Sequence, residues 1–462
     1  MMFLKLNLIL LDVQIVVQLV RNNLIRDLMM KYKHLFLALG LTCGLQAATF
    51  AAPKPLPDTP YSQAPAVTIP VNYVEIDPQA YASNLAEIRK MIGPNVKMCV
   101  VMKSNAYGHG INNLIDQAIK ANVDYIAAVD NNEFAYMAAK IKASGKHIRL
   151  LRIAPVTKLE LIEAVKNNWH VEEIAGSLEE AQMISKTAEE LTKELKHKVV
   201  INIHLYVETG MGRMGVRSIS DMKQIMALPN LKLVGVMSHL ANDYQESPID
   251  VDSTHYQMDI FESVINQLHL PPTVIRHIAN SGATAKFPWA RLDMVRVGSL
   301  TYGEDLDDRQ DPHHVLKPVM PAFKSTVSII ERNIPPHSPV NYDSMQFTRS
   351  DRYSTTATIR AGYDTGFSQY AFKESSDVLI RGQRFPVIGK TSMNMVVIDI
   401  TDEDPKNKIQ LGDDVVLVGK QGKQQITWDE FSQRNHMGVT EQVLLIGNQN
   451  RHQIINGSKN PQ

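Results

Sequence analysis

Cysteine is scarce. Cys43 and Cys99 are the only two in 462 residues, too few for a disulfide framework or a cysteine zinc cluster. The histidines are scattered without ligand spacing, so no metal site is expected. An excess of charge is lacking as well. Lys and Arg (48) equal Asp and Glu (48), which leaves no electrostatic footprint for nucleic acid. Long hydrophobic runs are few, and the run at 35–45 is too short to cross ~30 Å of hydrocarbon comfortably. What is there is ordinary: 44% hydrophobic and 21% charged residues exclude wholesale disorder and collagen, and the length suggests two or three domains.

The first 70 residues do not read as fold. In 31–51, two lysines and a histidine precede the apolar run, and small residues follow at Thr49 and Ala51. That is the pattern of a secretory signal, with cleavage near Ala51. The expectation is a periplasmic protein; a membrane anchor is the alternative. Residues 1–29 form a second apolar stretch ahead of Met30, and read as an upstream extension with translation starting at Met30, or else as an anchor helix. Residues 1–52 are thus assigned to extension and signal, and the Pro-rich 53–70 to an extended linker. After cleavage the chain keeps 43 basic and 46 acidic residues. That balance gives no stable membrane association. Cys99, among apolar neighbours, reads as a buried core thiol.

From Val71 to about Gly303, short apolar runs alternate with helical patterns. The runs fall at 71–77, 98–103, 125–129, 148–153, 199–207, 233–240 and 273–279. Strand followed by helix, many times in one block, predicts a closed (β/α)8 TIM barrel over 71–308. Beyond it, strand-like segments at 323–331, 352–361, 377–388, 394–400 and 413–420 are split by Gly, Pro and Asp turns. They predict a mainly β C-terminal domain over 309–462.

The run at 98–103 ends in Lys103. At a strand's C-terminal end in a barrel, a desolvated lysine has a lowered pKa and can attack an aldehyde. A lysine that merely snorkels there is the alternative. The residues that follow, KSNAYGHG (103–110), resemble the pyridoxal-phosphate lysine segment of the alanine racemase family. The resemblance continues in order through TGMGRMG (209–215), Ser238-His239, Ala279-Asn280-Ser281, MVRVG (294–298), Asn341-Tyr342, Ala361-Gly362-Tyr363 and GKTSMN (389–394). It covers about 71–450.

The resemblance implies a pyridoxal 5'-phosphate enzyme that racemises free amino acids. Lys103 would hold the cofactor as a Schiff base and act as the base on one face of the α-carbon. Tyr342 would be the second base, reaching in from the partner of a homodimer with shared active sites. Arg296 would face the pyridine nitrogen and keep it unprotonated, which suits racemisation. Ser281, Gly298, Ser299 and Tyr107 would hold the phosphate, His239 would lie beside the ring, and Tyr363 would complete the cofactor's surroundings. Arg213, Met393 and Asn394 would meet the substrate.

Three departures matter. Tyr206 stands where the family often has a lysine that orients the arginine, so Arg213 needs another partner, an ion or Glu208. Asn394 replaces an aspartate. Near Val439 no tyrosine matches the one that crowds the alanine methyl. Instead Gly447-Asn448-Gln449-Asn450 follows a run of apolar residues, and Asn394, this Gly-Asn-x-Asn end and the signal together resemble the exported, broad-specificity branch, which takes basic amino acids such as lysine and arginine as well as alanine. An alanine racemase proper feeding peptidoglycan, a non-catalytic pyridoxal-phosphate-binding protein and a decarboxylase are the alternatives. The last would want a cysteine beyond Cys99, and there is none.

Overall fold

The computed structural model describes residues 71–456, apart from 243–247, 305–310 and positions 312, 345, 370 and 375. The expected signal and linker lie outside the described residues. Eight parallel strands form a nearly closed barrel: β2 (Lys97–Val101), β3 (Tyr125–Ala128), β4 (Arg149–Arg152), β5 (Val171–Ala175), β6 (Ile201–Tyr206), β7 (Leu231–Met237), β8 (Ile275–His277) and β9 (Met294–Val297). The order runs β8-β7-β6-β5-β4-β3-β2-β9. Backbone bonds from Asp293 N to Arg276 O (3.1 Å) and from Arg296 N to Ala279 O (2.9 Å) draw β8 and β9 together.

Several of the helices begin where short polar side chains cap them. In α1 (Pro78–Ile92), the Asp77 carboxylate accepts from the N–H groups of Gln79 and Ala80, and Pro78 needs no donor in the first turn. After α2 (Ile111–Lys120) comes α3 (Asn131–Ser144), where Asp130 and Glu133 form a reciprocal capping box. The alternation then continues with α4 (Lys158–Lys166), α5 (Leu178–Leu195), α6 (Ile219–Ala227) and α7 (Pro248–Leu268). The short α8 (Ser281–Lys286) and α9 (Ser299–Tyr302) follow β8 and β9.

The C-terminal domain is built on the long β10 (Ala322–Ile334). Its other strands are β11 (Pro339–Val340), β12 (Gln346–Phe347), β13 (Ser354–Ile359), β14 (Asp377–Ile380), β15 (Gln383–Ile388), β16 (Val396–Asp399), β17 (Asp414–Gln421), β18 (Gln424–Ile426) and β19 (Arg451–Ile454). Because β17 pairs with both β14 and β10, the circuit β10-β13-β16-β15-β14-β17 closes on itself. Helices α10 (Trp428–Arg434) and α11 (Val439–Gln449) complete the domain.

The first apolar run is not a barrel strand. It forms β1 (Tyr73–Ile76), antiparallel to β10 and parallel to β19. Its pattern alternates half-buried and buried, as a strand with one face in a core must. Two barrel strands, β5 and β9, were not among the apolar runs. Charged residues interrupt them, Glu172 and Glu173 in one and Arg296 in the other, all buried.

Candidate active site

A cavity of about 510 Å³ opens at the C-terminal ends of the barrel strands. Its lining includes Lys103, Tyr107, Tyr206, Arg213, His239, Ser281, Arg296, Gly298 and Ser299. Thr440 and Leu444 of α11 contribute the C-terminal domain's share. Eight of the expected site residues therefore meet in one place. The other four do not: Tyr342, Tyr363 and Met393 are 61%, 41% and 54% exposed on the C-terminal domain, and Asn394 lies beside Met393.

Lys103 follows β2 and opens an unusual turn. Ser104, Asn105, Ala106 and Tyr107 all have φ of 54–57°, a left-handed run without a glycine. Such geometry costs roughly 1–2 kcal/mol per residue, so the surroundings must hold it. Asn105 N donates to Glu133 Oε1 (2.8 Å), and Asn105 Oδ1 accepts from Ile111 N (3.0 Å). Gly108 N donates to Ser104 O (3.1 Å). Burial lowers the Lys103 pKa and the nearby Arg213 charge lowers it further, against a smaller opposing pull from Glu133. The desolvation expected of a strand-end lysine is present.

Arg296 is almost wholly buried and is pinned by acceptors. Nη1 donates to His277 Nδ1 (2.9 Å) and His277 O (3.1 Å), and Nη2 to Ser238 O (2.6 Å) and His239 Nδ1 (3.3 Å). A guanidinium only donates, so both imidazoles must offer a bare Nδ1 and carry their proton on Nε2. His277 Nε2 then donates to His204 Nδ1 (2.7 Å), and His204 Nε2 donates to Glu172 Oε2 (2.9 Å). Arg149 closes the row with an ion pair to Glu172. Cation, two neutral imidazoles and carboxylate thus run down the barrel interior with one proton order. Burial, then the charge of Arg296, holds His277 well below the usual imidazole range. Burial with Arg296, Arg213 and Lys103 around it brings His239 down to about 3.

Sequence reasoning missed this row of side chains. Its signal was available: a histidine at a buried position in each of two strands, His204 in β6 and His277 in β8.

Ser281 Oγ accepts from Gly298 N (2.9 Å) and Leu300 N (3.3 Å), so hydroxyl and backbone donors converge on one spot. An added Cβ on Gly298 would lie 2.6 Å from Tyr107 Oη, so a larger residue there would displace that ring. Glu208 does not orient Arg213, contrary to one expectation. Its carboxylate turns back to accept from Gly210 N (2.6 Å) and Gly212 N (3.0 Å), ordering its own loop. Cys99 is buried, as expected, and burial pushes its thiol up to about 12.

The four exposed residues form one patch. Ser392 Oγ donates to Asn341 Oδ1 (2.9 Å) beside Tyr342. Tyr363 N and Asp364 N donate to Ser392 O (3.2 Å) and Met393 O (3.1 Å). Asn394 Nδ2 donates to Asp364 Oδ2 (2.6 Å), so a carboxylate stands beside the asparagine.

The profile of the alanine racemase N-terminal domain matches residues 76–305, and that of the C-terminal domain matches 320–454. A lysine racemase of Proteus mirabilis is 32% identical over 86% of this chain and 93% of its own length. A broad-specificity amino-acid racemase of Pseudomonas taetrolens is 32% identical over 91% and 98%. Among solved structures, an alanine racemase of Clostridium difficile superposes with a TM-score of 0.72 at 26% identity, over 85% of this chain and 97% of that one.

Proposed function

Because the chain belongs to the alanine racemase family, an isomerase family of amino-acid racemases, we propose that it is a pyridoxal-phosphate-dependent racemase with two bases, one from each of two subunits, and that it accepts basic side chains as well as alanine. The observation that carries the reading is the cavity itself: a partly desolvated Lys103 facing a neutral His239 and a buried Arg296.

Pyridoxal phosphate fits the residues present. The lysine amine suits its aldehyde; Ser281, Ser299, Tyr107 and the backbone left bare at Gly298 suit its phosphate; Arg296 suits its pyridine nitrogen; Tyr363 of the exposed patch would approach it from outside. Bound there, the cofactor supplies a sink for the electrons released when the substrate α-carbon gives up its proton. A donor-only guanidinium leaves the ring nitrogen unprotonated, and the row behind Arg296 fixes that guanidinium in place. That arrangement would suit racemisation, in which the proton returns to the same carbon.

Lys103, neutral more often than an ordinary lysine, takes or returns the proton on one face. Tyr342 serves the other face. Its exposure in a single chain, on a patch outside the cavity, supports entry into a second subunit's barrel and hence a homodimer with shared sites. His239 presents Nε2–H to the cavity and can stabilise a phenolate. Arg213 at the mouth and Met393 and Asn394 on the patch are assigned to the substrate carboxylate.

Two observations support a basic substrate. Thr440, where α11 meets the cavity, leaves more room than an aromatic ring would. Asp364, held by Asn394, offers a carboxylate to a cationic tail. The similarity to lysine and broad-specificity racemases agrees. The signal pattern at 31–51 supports export to the periplasm. No helix among the described residues is long and apolar enough to cross a membrane.

Lys103→Ala tests the reading. It should remove the absorbance of lysine-bound cofactor and racemisation from both L- and D-lysine, followed by chiral chromatography. Full activity without added amines would refute the assignment.

A further inference from the structure

Two turns would carry the two ends of the cofactor: the left-handed turn after Lys103 and the turn at Gly298 and Ser299. Behind the cavity, two side chains without a part in the chemistry connect them. His109 closes the first turn and Glu304 lies just beyond α9; their side chains are 0% and 1% exposed. His109 Nδ1 lies 2.9 Å from Ala106 O. A carbonyl has no proton to give, so Nδ1 carries one. His109 Nε2 lies 2.6 Å from Glu304 Oε1. Two buried groups that close need a proton between them, since a lone pair facing a carboxylate would repel. A single proton shared across that 2.6 Å separation, as imidazolium with carboxylate or imidazole with carboxylic acid, would leave the pair without net charge.

Each end is tied to one turn. Ala106, which accepts from His109, sits in the left-handed run. Glu304 N donates to Ser299 O (3.4 Å). The imidazole stacks on Tyr302 at 4.5 Å and 16°. Tyr302 in turn lies 5.0 Å from the Tyr107 ring and donates to Val101 O (2.7 Å). Neither His109 nor Glu304 lines the cavity.

Resting on the pyridoxal-phosphate reading, we propose that His109 and Glu304 form a buried one-proton clamp that sets the spacing of the two turns and thereby the retention of the cofactor. They are positioning residues. A clamp of this kind governs how long the cofactor stays. A merely structural pair would change the melting temperature without touching cofactor affinity.

The test follows pyridoxal phosphate leaving the holoenzyme in cofactor-free buffer, by its absorbance, with circular dichroism as the check on folding. Breaking a buried pair leaves its partner uncompensated, so His109→Ala and Glu304→Ala should each weaken cofactor binding about tenfold or more. The double variant should be no weaker than the worse single one, because the clamp is already open. Glu304→Gln should stay within about threefold of wild type, since an amide N–H can donate to a His109 Nε2 that has shed its proton. If Glu304→Ala does not fold, Glu304→Asp serves in its place. It keeps the charge, withdraws the carboxylate by one methylene, and carries the same tenfold expectation. A folded Glu304→Ala or Glu304→Asp protein that retains cofactor as well as wild type overturns the clamp, as do single effects that multiply in the double variant. Failure of the wild type itself to bind pyridoxal phosphate would instead overturn the cofactor reading on which the clamp rests.

Discussion

At the scale of single residues, the site is governed by which groups are kept from charging. His239 is depressed to about 3, first by burial and then by the cations around it. An unfolded chain titrates the same imidazole near ~6.5. Between those values the unfolded state binds a proton that the native state refuses, so this residue's contribution to stability is complete above ~6.5 and is lost as pH falls. His239→Gln removes that liability. Relative to the variant, the wild type should lose up to about 1.4 kcal/mol per pH unit below ~6.5, read from urea midpoints at pH 7 and 5. An unchanged difference between the two pH values would mean that His239 is not held neutral.

Asp364 carries the second prediction at this scale. If it receives the cationic end of a long substrate, Asp364→Asn should lower kcat/KM for lysine by about tenfold while alanine changes little, because an exposed charge pair is worth up to ~1 kcal/mol and a partly desolvated one more. Equal losses for both substrates would remove the residue from specificity. Its place beside Asn394 was not legible in the sequence. Asn394 was visible as an aspartate replaced, but only the folded loops bring Asp364 to its amide.

At the scale of elements, the lysine turn is shaped by what presses on it. Helix α11 comes close enough that glycine is needed on both sides. A Cβ on Gly447 would sit 2.2 Å from Gly108 O, and one on Gly108 would sit 2.8 Å from Leu444 O. Gly447→Ala should therefore cost about 1–3 kcal/mol, because the obstructing atom is backbone and cannot swing away. Thermal unfolding reads the effect; a variant as stable as wild type would show that α11 does not bear on the turn. Six of the seven apolar runs became barrel strands, since continuous apolar character marks a strand buried on both faces. The failures have one origin. β5 and β9 were hidden by buried charges whose partners lie on other strands, Arg149 and His204 for Glu172, and His277 for Arg296. β1 carries Glu75 and the alternation of a strand with one buried face, but nothing local tells it to join β10 and β19.

At the scale of the whole molecule, barrel and β domain divide the work. The barrel holds the cofactor-sized cavity and the C-terminal domain covers it with α11, while the same domain presents Tyr342 outward. One chain thus has a lysine without its expected opposite base and a tyrosine without a cavity. Tyr342→Phe should spare cofactor binding and slow proton transfer at one face by about 10²–10⁴-fold, so deuterium exchange into one enantiomer suffers far more than into the other. The most direct test of the shared site is to mix Lys103→Ala subunits with Tyr342→Phe subunits, each inactive alone. After random exchange half of the dimers are mixed, and one of the two sites in each mixed dimer has both bases. Recovery of about a quarter of wild-type activity is expected for such a two-fold assembly. No recovery after subunit exchange has been verified by mass would place both bases within one chain and contradict the account.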